Sequence, residues 1–146
     1  VCVGAGTVRE DNPRLTVRDW SPAFGGEDLS NPLRVVLGEI PPNALIHPCI
    51  KMEGDIEGIL IELGKRGILQ LLVEGGANTI HRFHKARMVN RYEIFLAPAF
   101  TGGNDSFPMF SGLGITTVKD LWRGEITNLS QIGDDIHVTI VPKIID

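Results

Sequence analysis

Long apolar runs, cysteine and clustered positive charge are all scarce in these 146 residues, and each scarcity removes a class of explanation. No stretch approaches the roughly 20 consecutive apolar residues that a membrane-spanning helix needs. Cysteine occurs twice, at Cys2 and Cys49, without C-x-x-C spacing, so neither a disulfide framework nor a thiolate zinc site is indicated. Two buried or half-buried thiols in a cytoplasmic protein are the expectation. Lys and Arg number 14 against 18 acids, the signs are interspersed and the net charge is −4, so nucleic acid is not an expected partner. Signal-peptide features are lacking too. The first three residues, Val1-Cys2-Val3, read as the tail of a buried strand, which leads us to expect further sequence upstream.

What is present suits one domain over residues 1–146, since 42% apolar and 22% charged residues are close to ordinary globular composition. Short apolar runs alternate with helical patterns and glycine turns, the signature of an α/β domain with a mainly parallel sheet. Residues 33–37 read as a second strand, stopped by Gly38 and Pro41-Pro42, and residues 49–52 as a short third. Asp55 reads as a helix N-cap, followed by Ile56, Ile59, Leu60 and Leu63 at helical spacing, with Gly67 as the stop. Residues 68–74 are apolar enough to predict a strand buried on both faces. Gly75-Gly76 then opens a helix from Asn78 to Lys85, and residues 92–97 form another strand. Residues 19–31 and 98–114 read as loops, the second long enough to suggest a functional role. Residues 125–132 and 136–141 alternate around Gly133-Asp134-Asp135 and predict a C-terminal antiparallel hairpin.

Chemistry concentrates at three places. The turns 4–7 and 74–76 follow buried strands, where parallel sheets bind ligands and where glycine lets phosphate approach the backbone. Glycines serving only as tight connections remain the alternative, because Arg9 stands where a G-x-G-x-x-G motif needs its last glycine. Residues 9–18 are densely polar. Asp11 can accept or relay a proton, and Arg14 and Arg18 can clamp a phosphate, although a solvated loop around Pro13 is the plainer reading of this pattern on its own. Glu74 ends a buried strand, where an acid is either pinned by backbone N–H groups or faces a ligand. His81 and His84 lie at i, i+3, but no third ligand has suitable spacing, so an amphipathic helix rather than a metal site is expected. The His47-Pro48-Cys49 segment lacks the rest of a zinc deaminase signature.

Taken in order, Gly4-Ala5-Gly6-Thr7-Val8, Asp11-Asn12-Pro13-Arg14-Leu15-Thr16-Val17-Arg18, Val73-Glu74-Gly75-Gly76 and Leu96-Ala97-Pro98 with Gly102-Gly103 resemble the reductase domain of bifunctional riboflavin-biosynthesis deaminase/reductases. The resemblance covers nearly the whole chain. It implies a dihydrofolate-reductase-like fold and NADPH-dependent reduction of the ribose of 5-amino-6-(5-phosphoribosylamino)uracil. It also implies cofactor contacts from Thr7, Asp11, Gly76, Ala77, Asn78, Thr79, Ile80, His81 and Arg82. Leu15, Arg18 and Glu74 would bind substrate, with Asp11 and Glu74 closest to the chemistry. A homodimer is implied as well.

The resemblance leads us to expect that the family's first strand and helix, and its deaminase domain, fall outside residues 1–146. Gly38-Glu39 stands where the family often has Asp and a small polar residue. An acid beside an adenosine ribose repels a 2′-phosphate, which keeps NADH beside NADPH as cofactor. Two other functions stay open on sequence alone. One is a pterin or dihydrofolate reductase on the same fold, which would not need the cation at Arg18. The other is a non-catalytic nucleotide-binding module.

Overall fold

The computed structural model describes residues 1–18 and 31–143. The expected loop at 19–31 therefore lies outside the described residues except for Asn31. The elements run β1 (Cys2–Gly4), α1 (Ala5–Asp11), β2 (Val35–Leu37), β3 (Ile50–Met52), α2 (Ile56–Lys65), α3 (Ala77–Lys85), β4 (Tyr92–Leu96), β5 (Gly124–Ile132) and β6 (Asp135–Pro142). They form a parallel sheet ordered β1-β2-β3 and an antiparallel sheet ordered β4-β6-β5, each of three strands. In the parallel sheet Cys2, Val35 and Ile50 share one level, and Gly4, Leu37 and Met52 another.

The parallel strands are covered on both faces, as their largely apolar sequence requires, with Lys51 of β3 as the exposed exception. Cys2, Val35, Leu37 and Met52 pack against Ile56, Ile59 and Leu63 of α2 and Phe83 of α3. On the opposite face Val3 and Val36 meet Val8 of α1 together with Ala44 and Ile46. Burying each such aliphatic or aromatic side chain contributes about 1.5–3 kcal/mol. Cys2 belongs to this core, and burial pushes its thiol up to about 11, so it behaves as a small apolar group rather than a nucleophile.

Helix α2 begins where its sequence says. The Asp55 carboxylate accepts from Gly58 N–H at 2.8 Å, Ile56, Ile59 and Leu63 face inward, and the chain leaves through Gly67 in a left-handed conformation. The hairpin also forms, with Gly133 left-handed in the turn between β5 and β6 and a bulge between Ile126 and Asn128.

Residues 68–74 depart from expectation. They run parallel to β1, donating from Glu74 N–H to the Cys2 carbonyl at 2.9 Å and accepting from Cys2 N–H at the Leu72 carbonyl at 2.8 Å. This is a single bridge, not a doubly buried strand. Ile68, Leu71 and Val73 pack on the core, whereas Leu69 is 99% and Leu72 52% exposed. The physical reason is that the segment is an edge. Among the described residues only β1 flanks it, and nothing covers its outer face.

Candidate active site

Two glycine turns meet at the carboxyl ends of the parallel strands. Thr7, in the first turn of α1, accepts from Gly76 N–H at 3.1 Å, which ties the start of α1 to the start of α3. Thr79 is buried beneath this junction. A Cβ on Gly4 would collide with its hydroxyl, and one on Gly75 would lie 3.2 Å from its Cβ. Glycine at 4 and 75 is therefore a packing requirement, and the contact role implied for Thr79 is met by a side chain turned into the fold. Gly76 is different. A Cβ there would meet only the Thr7 hydroxyl, at 3.6 Å, so its backbone is open to approach. The Ala77 and Asn78 N–H groups follow in the first helical turn, where intrahelical partners do not exist. Bare backbone and a positive helix end suit the pyrophosphate of a dinucleotide.

Helix α3 places the remaining expected cofactor residues unevenly. The Arg82 guanidinium donates to the Gly54 carbonyl just beyond β3, at 2.6 Å. His81 packs against Gly112, and Ser111 N–H donates to the Ala77 carbonyl at 3.1 Å, so the loop after β4 touches the helix start. Ile80 is half-buried on the same helix. His84 turns away, with its Nδ1 2.8 Å from the Tyr92 hydroxyl and its ring against Phe110 and Trp122. Burial, with His81 and Arg87 nearby, lowers its pKa, so it is neutral at neutral pH and belongs to an aromatic cluster.

Beside this junction lies a cavity of about 500 Å³ lined by Asp11, Leu15, Arg18 and Glu74. Residues 12–18 wrap back after α1. Asn12 and Leu15 both adopt left-handed backbone, at φ 42° and 48°, which is uncommon for a branched side chain such as Leu and marks a shaped loop. The Asn12 side chain fixes the curve by accepting from Leu45 N–H at 2.8 Å. Arg34 steadies it further, its Nη1 donating to the Arg14 carbonyl at 3.4 Å. Arg14, the second candidate phosphate clamp, lines the same cavity.

The structure thus gathers the three residues expected at the substrate side, Leu15, Arg18 and Glu74, into one hollow together with Asp11, while Thr7 and 76–79 lie outside its lining, at the junction that follows Glu74. Leu45 and Pro32, also in the wall, carried no local sequence signal, since they arrive from loops distant along the chain. Among the described residues no group of three His, Cys, Asp or Glu side chains is arranged to hold a metal, and no helix is long and apolar enough to cross a membrane.

Comparison with known proteins points the same way. Residues 1–138 match the family described as the RibD C-terminal domain. A riboflavin biosynthesis protein RibD from Bacillus amyloliquefaciens is 30% identical over 177 residues, covering 98% of this chain and 46% of that protein. A 2,5-diamino-6-ribosylamino-4(3H)-pyrimidinone 5′-phosphate reductase from Methanothermobacter thermautotrophicus is 26% identical, covering 98% of this chain and 79% of that protein. RibD from Acinetobacter baumannii superposes with a TM-score of 0.84 at 21% identity, over 97% of this chain and 46% of that one. The deaminase/reductase from Thermotoga maritima does so at 0.73 and 26% identity, over 97% and 44%. The chain spans about half the length of the RibD relatives it matches. With the two glycine turns, the polar 11–18 loop and Glu74 all in place, the chain belongs to the RibD C-terminal domain family.

Proposed function

We propose that this chain reduces the ribose of a phosphoribosylaminopyrimidine, 5-amino-6-(5-phosphoribosylamino)uracil or its close diamino-pyrimidinone relative, to the ribitylamino product. The observation that carries this reading is the shared cavity. A cation for a phosphate, Arg18, and two carboxylates, Asp11 and Glu74, face one hollow beside a backbone cradle for a dinucleotide. When bound, a reduced nicotinamide supplies hydride to C1′ of the ring-opened sugar; the resemblance implies NADPH as its form. Arg18 anchors the sugar phosphate by charge-assisted hydrogen bonds. Glu74 holds the substrate near the transfer site, and Asp11 orients the cofactor or passes a proton through water to the substrate nitrogen. Such a reaction asks little of the protein beyond orientation, exclusion of water and control of charge. A pterin would leave the Arg18 and Arg14 cations unused.

The same reading covers domain organisation. The side of 68–74 that faces away from β1 and the outer edge of β4 lack a strand partner among the described residues, and Leu69, Leu72 and Leu96 stand exposed. A strand and helix from upstream of Val1 would satisfy those backbone groups and complete the reductase domain. The working form is then a cytoplasmic homodimer, with apolar residues of the C-terminal sheet available for the subunit contact.

The test is steady-state kinetics of Arg18→Ala on the phosphoribosyl substrate. A charge-assisted hydrogen bond is worth about 1.5–3 kcal/mol, so kcat/KM should fall roughly tenfold to a hundredfold while cofactor binding stays near normal. Unchanged kinetics would remove Arg18 from the substrate site, and a selective loss of cofactor affinity would move it to the other one.

A further inference from the structure

The carboxyl-end rim of the parallel sheet carries a charge pattern that the proposed reaction leaves unused. Across the sheet the order is 68–74, β1, β2, β3, so Glu74 stands at one side and the residues that follow β2 and β3 at the other. Close contacts join these ends into one rim. A Cβ on Gly38 would lie 3.2 Å from the Ala5 methyl at the start of α1, Thr7 holds Gly76, and Arg82 holds Gly54. A dinucleotide with its pyrophosphate on the first turn of α3 and its reactive ring at the Glu74 cavity must send its adenosine half the other way, toward the ends of β2 and β3.

There the turns 4–7 and 38–40 contain no Lys or Arg. Glu39 is exposed and pairs with Lys51 of β3, which also pairs with Glu53 at 2.9 Å. Two carboxylates share one ammonium and leave a net negative charge. Lys51 holds the Glu39 carboxyl below the usual carboxylate range, so that charge persists at neutral pH. A carboxylate accepts a hydrogen bond from a ribose 2′-hydroxyl and repels a 2′-phosphate.

We propose that Glu39, at the end of β2, reads the 2′ position of the adenosine ribose and makes this chain bind NADH in preference to NADPH. The inference rests on the reading of 75–79 as the dinucleotide cradle. Arg9 opposes it, since its guanidinium lies 3.9 Å from where a Cβ on Gly6 would stand. The informative quantity is therefore the ratio of the two affinities.

Titrations of the protein with NADH and NADPH, followed by nicotinamide fluorescence at low ionic strength, measure that ratio. Calorimetry with AMP and 2′,5′-ADP measures it without the nicotinamide. NADH should bind about fivefold to tenfold more tightly than NADPH, with AMP favoured over 2′,5′-ADP in the same sense, as expected for an exposed charge facing a phosphate. Glu39→Gln should narrow the gap, chiefly by improving NADPH. Lys51→Met, which uncovers both carboxylates, should widen it, and added salt should shrink it. NADPH binding as tightly as NADH or more so, or a ratio unmoved by Glu39→Gln, overturns the role of Glu39 while leaving the cradle in place. Failure of both dinucleotides to bind removes the cradle itself, and the inference with it.

Discussion

The two sheets differ in the pattern of their strands: β1, β2 and β3 are almost wholly apolar and closed, whereas β4, β5 and β6 alternate apolar with polar residues and lie open on one side. β1, β2 and β3 bury nearly every side chain between α1 on one face and α2 with α3 on the other. In β4, β5 and β6 one face meets α3 only near Tyr92, and Leu96, Ile126, Leu129 and Ile136 remain exposed. Composition and covering layers separate the two regions together. A parallel strand needs a long crossover to return, usually a helix, and here α1 after β1 and α2 after β3 supply cover. A hairpin returns through a tight turn and brings nothing with it. The candidate site lies on the closed side, where rigid neighbours fix Thr7, Glu74 and the start of α3.

The largest expected effect breaks this contrast directly. Leu63→Ala removes a fully buried side chain between α2 and the parallel sheet and should cost about 2–5 kcal/mol. Leu129→Ala, at a position 68% exposed, should cost under about 0.5 kcal/mol if the open face stays uncovered. Denaturant melts of both variants measure the difference. A large loss for Leu129→Ala, growing with protein concentration, would mean that a second subunit closes the open sheet.

A smaller effect sharpens the contrast at the site. Gly4→Ala drives a methyl into the Thr79 hydroxyl and should cost about 1–3 kcal/mol by overpacking. Adding Thr79→Ala makes room, so the double variant should recover part of that loss in a double-mutant cycle. Strict additivity would show that this junction has slack after all.

The smallest effect belongs to the open sheet. There Glu93 accepts from the Thr139 hydroxyl and faces His137 Nε2, both at 2.7 Å, with Arg91 alongside. The Thr139 hydrogen bond first, then His137, hold the Glu93 carboxyl below its ordinary value. A depressed carboxylate pKa stabilises the fold above the unfolded value, near 4.3, and that contribution is lost as pH falls through the folded value. Glu93→Gln should therefore leave a slightly shallower loss of stability below about pH 4.5, visible in thermal melts at several acidic pH values. An unchanged acid limb would show that the cluster adds nothing to holding β4 on β6.

Local signals in the chain read well wherever one residue and its near neighbours decide the outcome. Asp55 and Gly67 bound α2 because a cap and a left-handed stop act within one turn. Gly133 sets the hairpin for the same reason. The placement of Thr7, Asp11, Arg18 and Glu74 near one another was legible because a glycine turn and a polar loop leave dense patterns over few positions. Residues 68–74 were not, since an apolar run states what a segment can bury and not whether anything arrives to bury it. Leu45 was equally silent as a wall of the cavity, because its place there depends on a hydrogen bond to Asn12, 33 positions away. By itself, then, the sequence determined the α/β pattern, the turns and the chemistry each segment offers, all of which rest on short-range propensity and periodicity. Only the tertiary structure decided which of those offers come together: Thr7 against Gly76, Glu74 and Arg18 in the lining of one cavity, and Glu39 sharing Lys51 with Glu53. Long-range contacts of this kind are set by packing of whole elements, and no local run of residues encodes them.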